Sequence, residues 1–249
     1  MQYKFTDPDT HIDFGFGLLA SNFHSTADFL WENNPDKNTI GLLPNLYLYR
    51  HSIELYLKSL IVIIHKKLKL SYKDGTVPFD SREPFIVYED FNGNKKWKRI
   101  TSSHFISTLY RYFEKLVSEH EKDLNEEASK EMSKIINPDN QRIVDHIKKY
   151  DDTSTYFRYS DLSDSNQNTR ESEKHYNKKI RVQDLEDYID DEKPSSFLIV
   201  VNQESGETVE AHKSIREMPL KELARDMRKF AEYLSGIHAM FRICLCDSY

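Results

Sequence analysis

Apolar residues recur at three- and four-residue intervals along most of the chain, with charged residues between them, the periodicity of helices that bury one face. Phe14, Leu18, Leu19, Phe23, Ala27 and Leu30 fall on one stripe and predict a first helix within His11 to Trp31, ended by Asn33-Asn34-Pro35-Asp36. After Pro44, the stretch Leu46 to Leu68 is apolar at Leu46, Tyr49, Ile53, Tyr56, Leu57, Leu60, Ile61 and Ile64, which predicts a centrally buried helix. A third helix is expected from Ser102 or Ser103 to about Glu121, capped by one of those serines. It would hold His104 in its first turn and turn Phe105, Leu109, Tyr112, Phe113 and Leu116 inward. Leu124 to Tyr150 is rich in helix formers but interrupted at Asn137-Pro138-Asp139, so it predicts two shorter helices. The closing helix runs from about Leu220 to Cys244, with Leu223, Met227, Phe230, Leu234, Ile237 and Phe241 inside.

Two stretches break this pattern. Between Ser71 and Ile100 the runs Phe85-Ile86-Val87-Tyr88 and Trp97 flank Phe91-Asn92-Gly93-Asn94, an insertion with a small hairpin. Asp151 to Lys179 is a long polar loop. A second hairpin follows, from Phe197–Val201 through Glu204-Ser205-Gly206-Glu207 to Thr208–Ala211. The expected architecture is therefore an all-α bundle, one domain over residues 1–249, with two small β-hairpin insertions at about 71–100 and 151–212.

Composition narrows the function classes. A chain of 249 residues buries roughly 70–75% of its unfolded surface and needs no metal or disulfide staples. The longest apolar run, Leu60 to Ile64, is far short of the roughly 20 residues that cross a bilayer. The start of the chain lacks the basic-then-apolar pattern of a signal peptide, so a cytoplasmic protein is expected. The only cysteines, Cys244 and Cys246, point to different helix faces and read as inert thiols rather than metal ligands. The net charge of -6 argues against non-specific duplex binding but leaves room for a local basic cleft. There is no glycine-rich phosphate loop, no zinc-protease helix motif, no nucleophile elbow and no Cys-His pair, so no cofactor or metal is expected.

Chemistry must then come from Arg and His residues in or beside apolar helices. Arg50, Glu54 and Lys58 lie four residues apart in the most apolar helix. One reading is an exposed ion-pair ladder; the other is a buried network, in which an interior Arg needs partners. His65 with Lys66, Lys67 and Lys69 makes a basic helix end, suited to the helix C-terminus or to a phosphate-tracking patch. Tyr110, Tyr112 and Tyr159 read as core or as stacking platforms for unpaired bases, and His238 as a core-edge residue.

The segment Leu46-Tyr47-Leu48-Tyr49-Arg50-His51-Ser52-Ile53-Glu54-Leu55-Tyr56-Leu57-Lys58, then His104-Phe105-Ile106-Ser107-Thr108-Leu109, then Tyr150-Asp151-Asp152-Thr153-Ser154-Thr155-Tyr156-Phe157-Arg158-Tyr159, resembles uncharacterised bacterial proteins of the HEPN superfamily. That resemblance implies a helical bundle, commonly dimeric. It also implies metal-independent ribonuclease chemistry of toxin, CRISPR-associated or antiphage systems, with an Arg, about four to six intervening residues and then a His in active members. Arg99 to His104 and Arg170 to His175 have this spacing; Arg50 is followed directly by His51.

Metal-free RNA cleavage needs a base for the 2'-hydroxyl, an acid for the leaving oxygen and a cation at the phosphate. His suits the proton roles and Arg the phosphate. The expected catalytic set is Arg50, His51, His104 and Arg158, supported by Glu54, Asp151 and Ser154, with Arg99, Arg170 and His175 as weaker alternatives. The expected setting is an endoribonuclease of a prokaryotic defence or toxin system, a homodimer acting on RNA with a protein partner or antitoxin. The alternative is an inactive HEPN-like scaffold or a sensor of a small anionic ligand, with Arg50, Glu54, Arg158 and Asp151 as a purely structural network.

Overall fold

The computed structural model describes residues 11–33, 39–70, 85–89, 95–128, 135–151, 178–180, 183, 197–213 and 219–246. Its described residues are mainly helical: α1 (Phe16–Asn33), α2 (Thr39–Lys67), α3 (Ile106–Glu119), α4 (Glu121–Glu127), α5 (Asp139–Asp151) and α6 (Pro219–Leu245). Strands β1 (Phe85–Glu89) and β2 (Lys95–Arg99) lie between α2 and α3, and β3 (Lys178–Ile180), β4 (Phe197–Val201) and β5 (Thr208–Lys213) between α5 and α6.

Helix α2 is the axis of the bundle. A helix apolar on both sides of one narrow polar stripe has little face to offer water, so it is surrounded; α1, α3 and α6 all pack on it. Ile53, Leu57, Leu60, Ile61 and Ile64 are fully buried, each contributing about 1.5–3 kcal/mol relative to exposure. The helix begins at Thr39, earlier than expected, and runs through Pro44. Proline in the opening turns removes a single amide donor without ending the helix. On α6 all six expected core residues are buried.

Helix α1 departs from its expected stripe. Leu19 is exposed, and the buried positions are Gly17, Ala20, Ala27 and Trp31. Small residues let the backbones of α1 and α2 approach, so close contact rather than large apolar bulk selects this face. Phe14 precedes the helix with a left-handed φ of 56°, followed by Gly15 at 76°. Asp13 stabilises that turn by accepting hydrogen bonds from the backbone N–H groups of Gly15 (3.2 Å) and Gly17 (2.9 Å). Ser59 of α2 donates to the same carboxylate at 2.5 Å.

Both expected hairpins are present. Strands β1 and β2 pair antiparallel, with Phe85 opposite Arg99 and Val87 opposite Trp97. The buried Phe85 and Ile86 anchor β1, which packs on α3. Strands β4 and β5 pair antiparallel around Asn202–Glu207, and β3, which lies where a loop was expected, adds to the other edge of β5. The expected break at Asn137-Pro138 holds: Asn137 Oδ1 accepts the Asp139 N–H at 3.0 Å and starts α5. No helix among the described residues is long and apolar enough to cross a membrane.

Candidate functional site

The third helix starts later than the serines suggested. A 3-10 turn covers Ile100–Ser102, Ser103 is buried, and α3 begins at Ile106 with Phe105 as an N-cap residue whose side chain makes no capping bond. His104 therefore sits in the extended link before α3, not in its first turn. An extended residue leaves its carbonyl without a helical partner, and that oxygen accepts a 2.6 Å hydrogen bond from Arg50 Nη2.

Arg50 is completely buried. Its Nε donates to the Asp151 carbonyl oxygen at 3.0 Å, with the Asp151 carboxylate 3.5 Å away, and its Nη1 donates to Glu54 Oε2 at 3.0 Å. Glu54 Oε1 accepts from Lys58 Nζ at 2.8 Å and faces His104 Nδ1 at 3.0 Å. Lys58 also reaches the Thr101 carbonyl oxygen at 3.5 Å. The polar stripe of α2 is thus an interior network joining α2, the lead into α3 and the last residue of α5, and the exposed-ladder reading falls. Arg50 and Lys58 balance Glu54 and Asp151 in charge, which is what lets the four be buried together. Burial alone would raise the Glu54 carboxyl, but the Lys58 ammonium and the Arg50 guanidinium outweigh it and hold the group below the ordinary carboxylate range.

His104 is the member that reaches the outside, with half of its side chain exposed. A carboxylate only accepts, so the proton on the bonded nitrogen belongs to Nδ1. In the neutral ring this leaves Nε2 as the basic nitrogen.

Of the expected site residues, Arg50, Glu54, Asp151 and His104 come together. Arg99 ends β2 at the surface, one 3-10 turn before His104. The His51 ring faces α1, edge-on to Phe23 at 4.5 Å between ring centres and stacked on Tyr47 at 5.9 Å. Arg158, Ser154, Arg170, His175 and Tyr159 lie outside the described residues. Lys58 joins Arg50, Glu54, Asp151 and His104, as the buried-network reading of the α2 stripe expects, and the Thr101 carbonyl is a further member that no spacing in the sequence points to. Phe105, expected inside, is 38% exposed with Lys98 Nζ 5.5 Å from its ring centre. Tyr110 and Tyr112 are core, which withdraws them as stacking platforms. His65 is buried against the Tyr112 hydroxyl at 2.8 Å, so the basic end of α2 reduces to its lysines.

Two further polar clusters tie helices together. Arg142 Nη1 and Nη2 each donate to Asp226 at 3.0 Å, with His146 Nδ1 3.0 Å from the same carboxylate, joining α5 to α6. Asp28 of α1 accepts from the Tyr49 hydroxyl at 2.7 Å and pairs with Arg228 Nε at 2.9 Å, joining α1, α2 and α6. Among the described residues, no group of three or more His, Cys, Asp or Glu side chains is arranged to hold a metal ion. No protein-family model, curated protein or solved structure matches the chain.

Proposed function

We propose that this chain is a HEPN-like helical protein that cleaves RNA without a metal, with His104 as the proton-transfer group and Glu54 as the residue that orients it. The reading is supported above all by one pairing: the buried Glu54 carboxylate lies 3.0 Å from Nδ1 of a histidine whose side chain is half exposed. A carboxylate that fixes the tautomer gives the opposite nitrogen a defined role as base: Nε2 takes the 2'-hydroxyl proton as the 2'-oxygen bonds to phosphorus, the bond to the 5'-oxygen breaks, and that oxygen leaves with a proton from water. Arg50 is a positioning residue in this scheme. It holds the His104 carbonyl and the Glu54 carboxylate in place, and its burial keeps it from the phosphate. The reading carries with it a prokaryotic defence or toxin role, a cytoplasmic location, a homodimer and a silencing protein partner.

A second reading, an inactive HEPN-like scaffold or sensor of a small anion, is favoured by the charge balance of the same network: each guanidinium nitrogen of Arg50 already meets a protein oxygen. Single-stranded RNA incubated with the protein in EDTA separates the two. The ribonuclease reading expects wild-type cutting, a loss of about 10²- to 10⁴-fold in His104→Ala and little change in His51→Ala. Equal cutting by wild type and His104→Ala removes the assignment, and no cutting by any form favours the scaffold.

A further inference from the structure

Strand β2 reads Lys95-Lys96-Trp97-Lys98-Arg99 and feeds, through one 3-10 turn, directly into His104 and Phe105. In a chain of net charge -6 this is a marked local reversal of sign. Lys96 and Arg99 are exposed and Lys98 is half-buried. Lys96 and Lys98, two apart on a strand, share a face about 6.6 Å apart. The Lys98 ammonium lies 5.5 Å from the ring centre of Phe105, so the face of β2 that carries Lys96 and Lys98 adjoins the exposed aromatic, with Arg99 at the end of the strand. Arg111, six residues after Phe105 on α3, is also exposed. Cations in a row beside an exposed aromatic are what a single-stranded nucleic acid requires: point charges for the phosphates and a flat apolar face for a base. An acidic peptide would use the cations but has no planar base for Phe105 to stack.

We infer that β2 and the link into α3 form a binding surface for single-stranded RNA, in which Lys96, Lys98, Arg99 and Arg111 contact phosphates, Phe105 stacks a base, and the strand is delivered to His104. The inference rests on the reading of His104 given above, but the two can fail separately. The probe is a fluorescently labelled single strand of 2'-O-methyl RNA, which has no 2'-hydroxyl nucleophile to react, titrated with the full chain over a salt series. Wild type should bind with log affinity falling linearly against log salt. Replacing Lys96, Lys98 and Arg99 together by Gln should lower that slope by about 2, since each single-strand phosphate contact releases roughly 0.7 of a counterion. Phe105→Ala should weaken binding roughly ten-fold or more at fixed salt. Arg111→Gln, in α3 and outside the hairpin, should lower the slope by about 0.7 and guards against loss of the hairpin in the triple variant.

Wild-type affinity and slope in both the triple variant and Arg111→Gln overturn the surface, as does absence of probe binding by wild type. Tighter binding of a polyglutamate peptide than of the probe, through the same lysines, overturns it in favour of an acidic protein partner. Binding through β2 by a protein that never cuts unmodified RNA keeps the surface and removes the catalytic reading. Cutting with unchanged KM in the triple variant keeps His104 and removes the surface.

Discussion

Nδ1 of His104 lies 3.0 Å from Oε1 of Glu54, and the same carboxylate oxygen takes the Lys58 ammonium at 2.8 Å. One oxygen thus serves a half-exposed ring and a buried cation, which couples the outermost group of the site to the centre of α2. Whatever fixes Glu54 fixes the histidine.

Removing the charge of Glu54 should therefore be costly. Glu54→Gln leaves Arg50 and Lys58 buried with one carboxylate between them, and a broken interior ion pair costs about 3–5 kcal/mol. Lys58→Met leaves Glu54 and Asp151 sharing Arg50 alone, the mirror-image imbalance, and should cost a similar ~3–5 kcal/mol. Urea unfolding midpoints at neutral pH compare the two variants, and near-wild-type stability in either would contradict the buried charge balance. The Glu54 carboxyl is depressed in the folded state, so its contribution is complete above the ordinary value of 4.5 and is lost as pH falls through the lower folded value. Glu54→Gln should show a shallower acid loss than wild type.

His65 gives an acid dependence in a different window. Burial beside Tyr112 lowers its pKa from 6.5 to about 4, despite a raising hydrogen bond at Leu70, and His120 adds a small repulsion. The unfolded chain then binds the proton first as pH falls. Stability from this group is complete above 6.5, declines as the pH drops, and is gone below about 4. At 1.36 kcal/mol per pH unit the loss is roughly 3 kcal/mol. In His65→Gln the slope of unfolding free energy against pH should flatten between 6.5 and 4, and an unchanged slope would place the titration elsewhere.

The helices were legible because burial on one face imposes a period that the sequence displays: Leu223 to Phe241 on α6 and Ile53 to Ile64 on α2 are core as expected. What failed depended on partners far along the chain. Ser102 and Ser103 have the chemistry of a cap, yet the carbonyl of His104 is drawn to Arg50 of another helix and the chain stays extended there. Leu19 and Phe105 have apolar side chains but face outward, because small residues on α1 and the anchored hairpin beside α3 occupy the inner positions. Within the site, the Arg50-Glu54 spacing and His104 could be read, since each came from local pattern. Thr101, Asp13 with Ser59, and Asp226 with His146 join elements distant in sequence, and no local period encodes such pairings.

The α5–α6 tie should be asymmetric. Asp226 is nearly buried and holds both partners, while the Arg142 side chain is 64% exposed. Burial would raise the Asp226 carboxyl, but the hydrogen bonds from Arg142 and His146 prevail and lower it. Arg142→Ala gives up an interaction that water largely replaces. Asp226→Ala leaves His146 facing an apolar contact and unlinks both partners at once. Thermal unfolding should show a clearly larger drop in midpoint for Asp226→Ala than for Arg142→Ala, and equal drops would mean that the tie is a surface pair without structural weight.

Gly17 sets two opposing effects against each other. An alanine inside a helix is favoured over glycine by roughly 0.5–1 kcal/mol. Here, however, the added methyl would run into the His238 ring of α6 and lie 2.8 Å from the Asp13 carboxylate. Neither can yield easily, since Asp13 is held by Ser59 and two backbone N–H groups. Overpacking of this kind costs about 1–3 kcal/mol or more, so the clash wins and Gly17→Ala should destabilise. The sign depends on the His238 ring, which gives a sharper test than the single variant. In Gly17→Ala/His238→Ala the ring clash is gone and only the 2.8 Å contact with Asp13 remains, so the pair should be more stable than the sum of the two single losses by at least ~1 kcal/mol in a double-mutant cycle. Simple additivity, or a stabilised Gly17→Ala, would mean that α1 and α6 do not approach this closely.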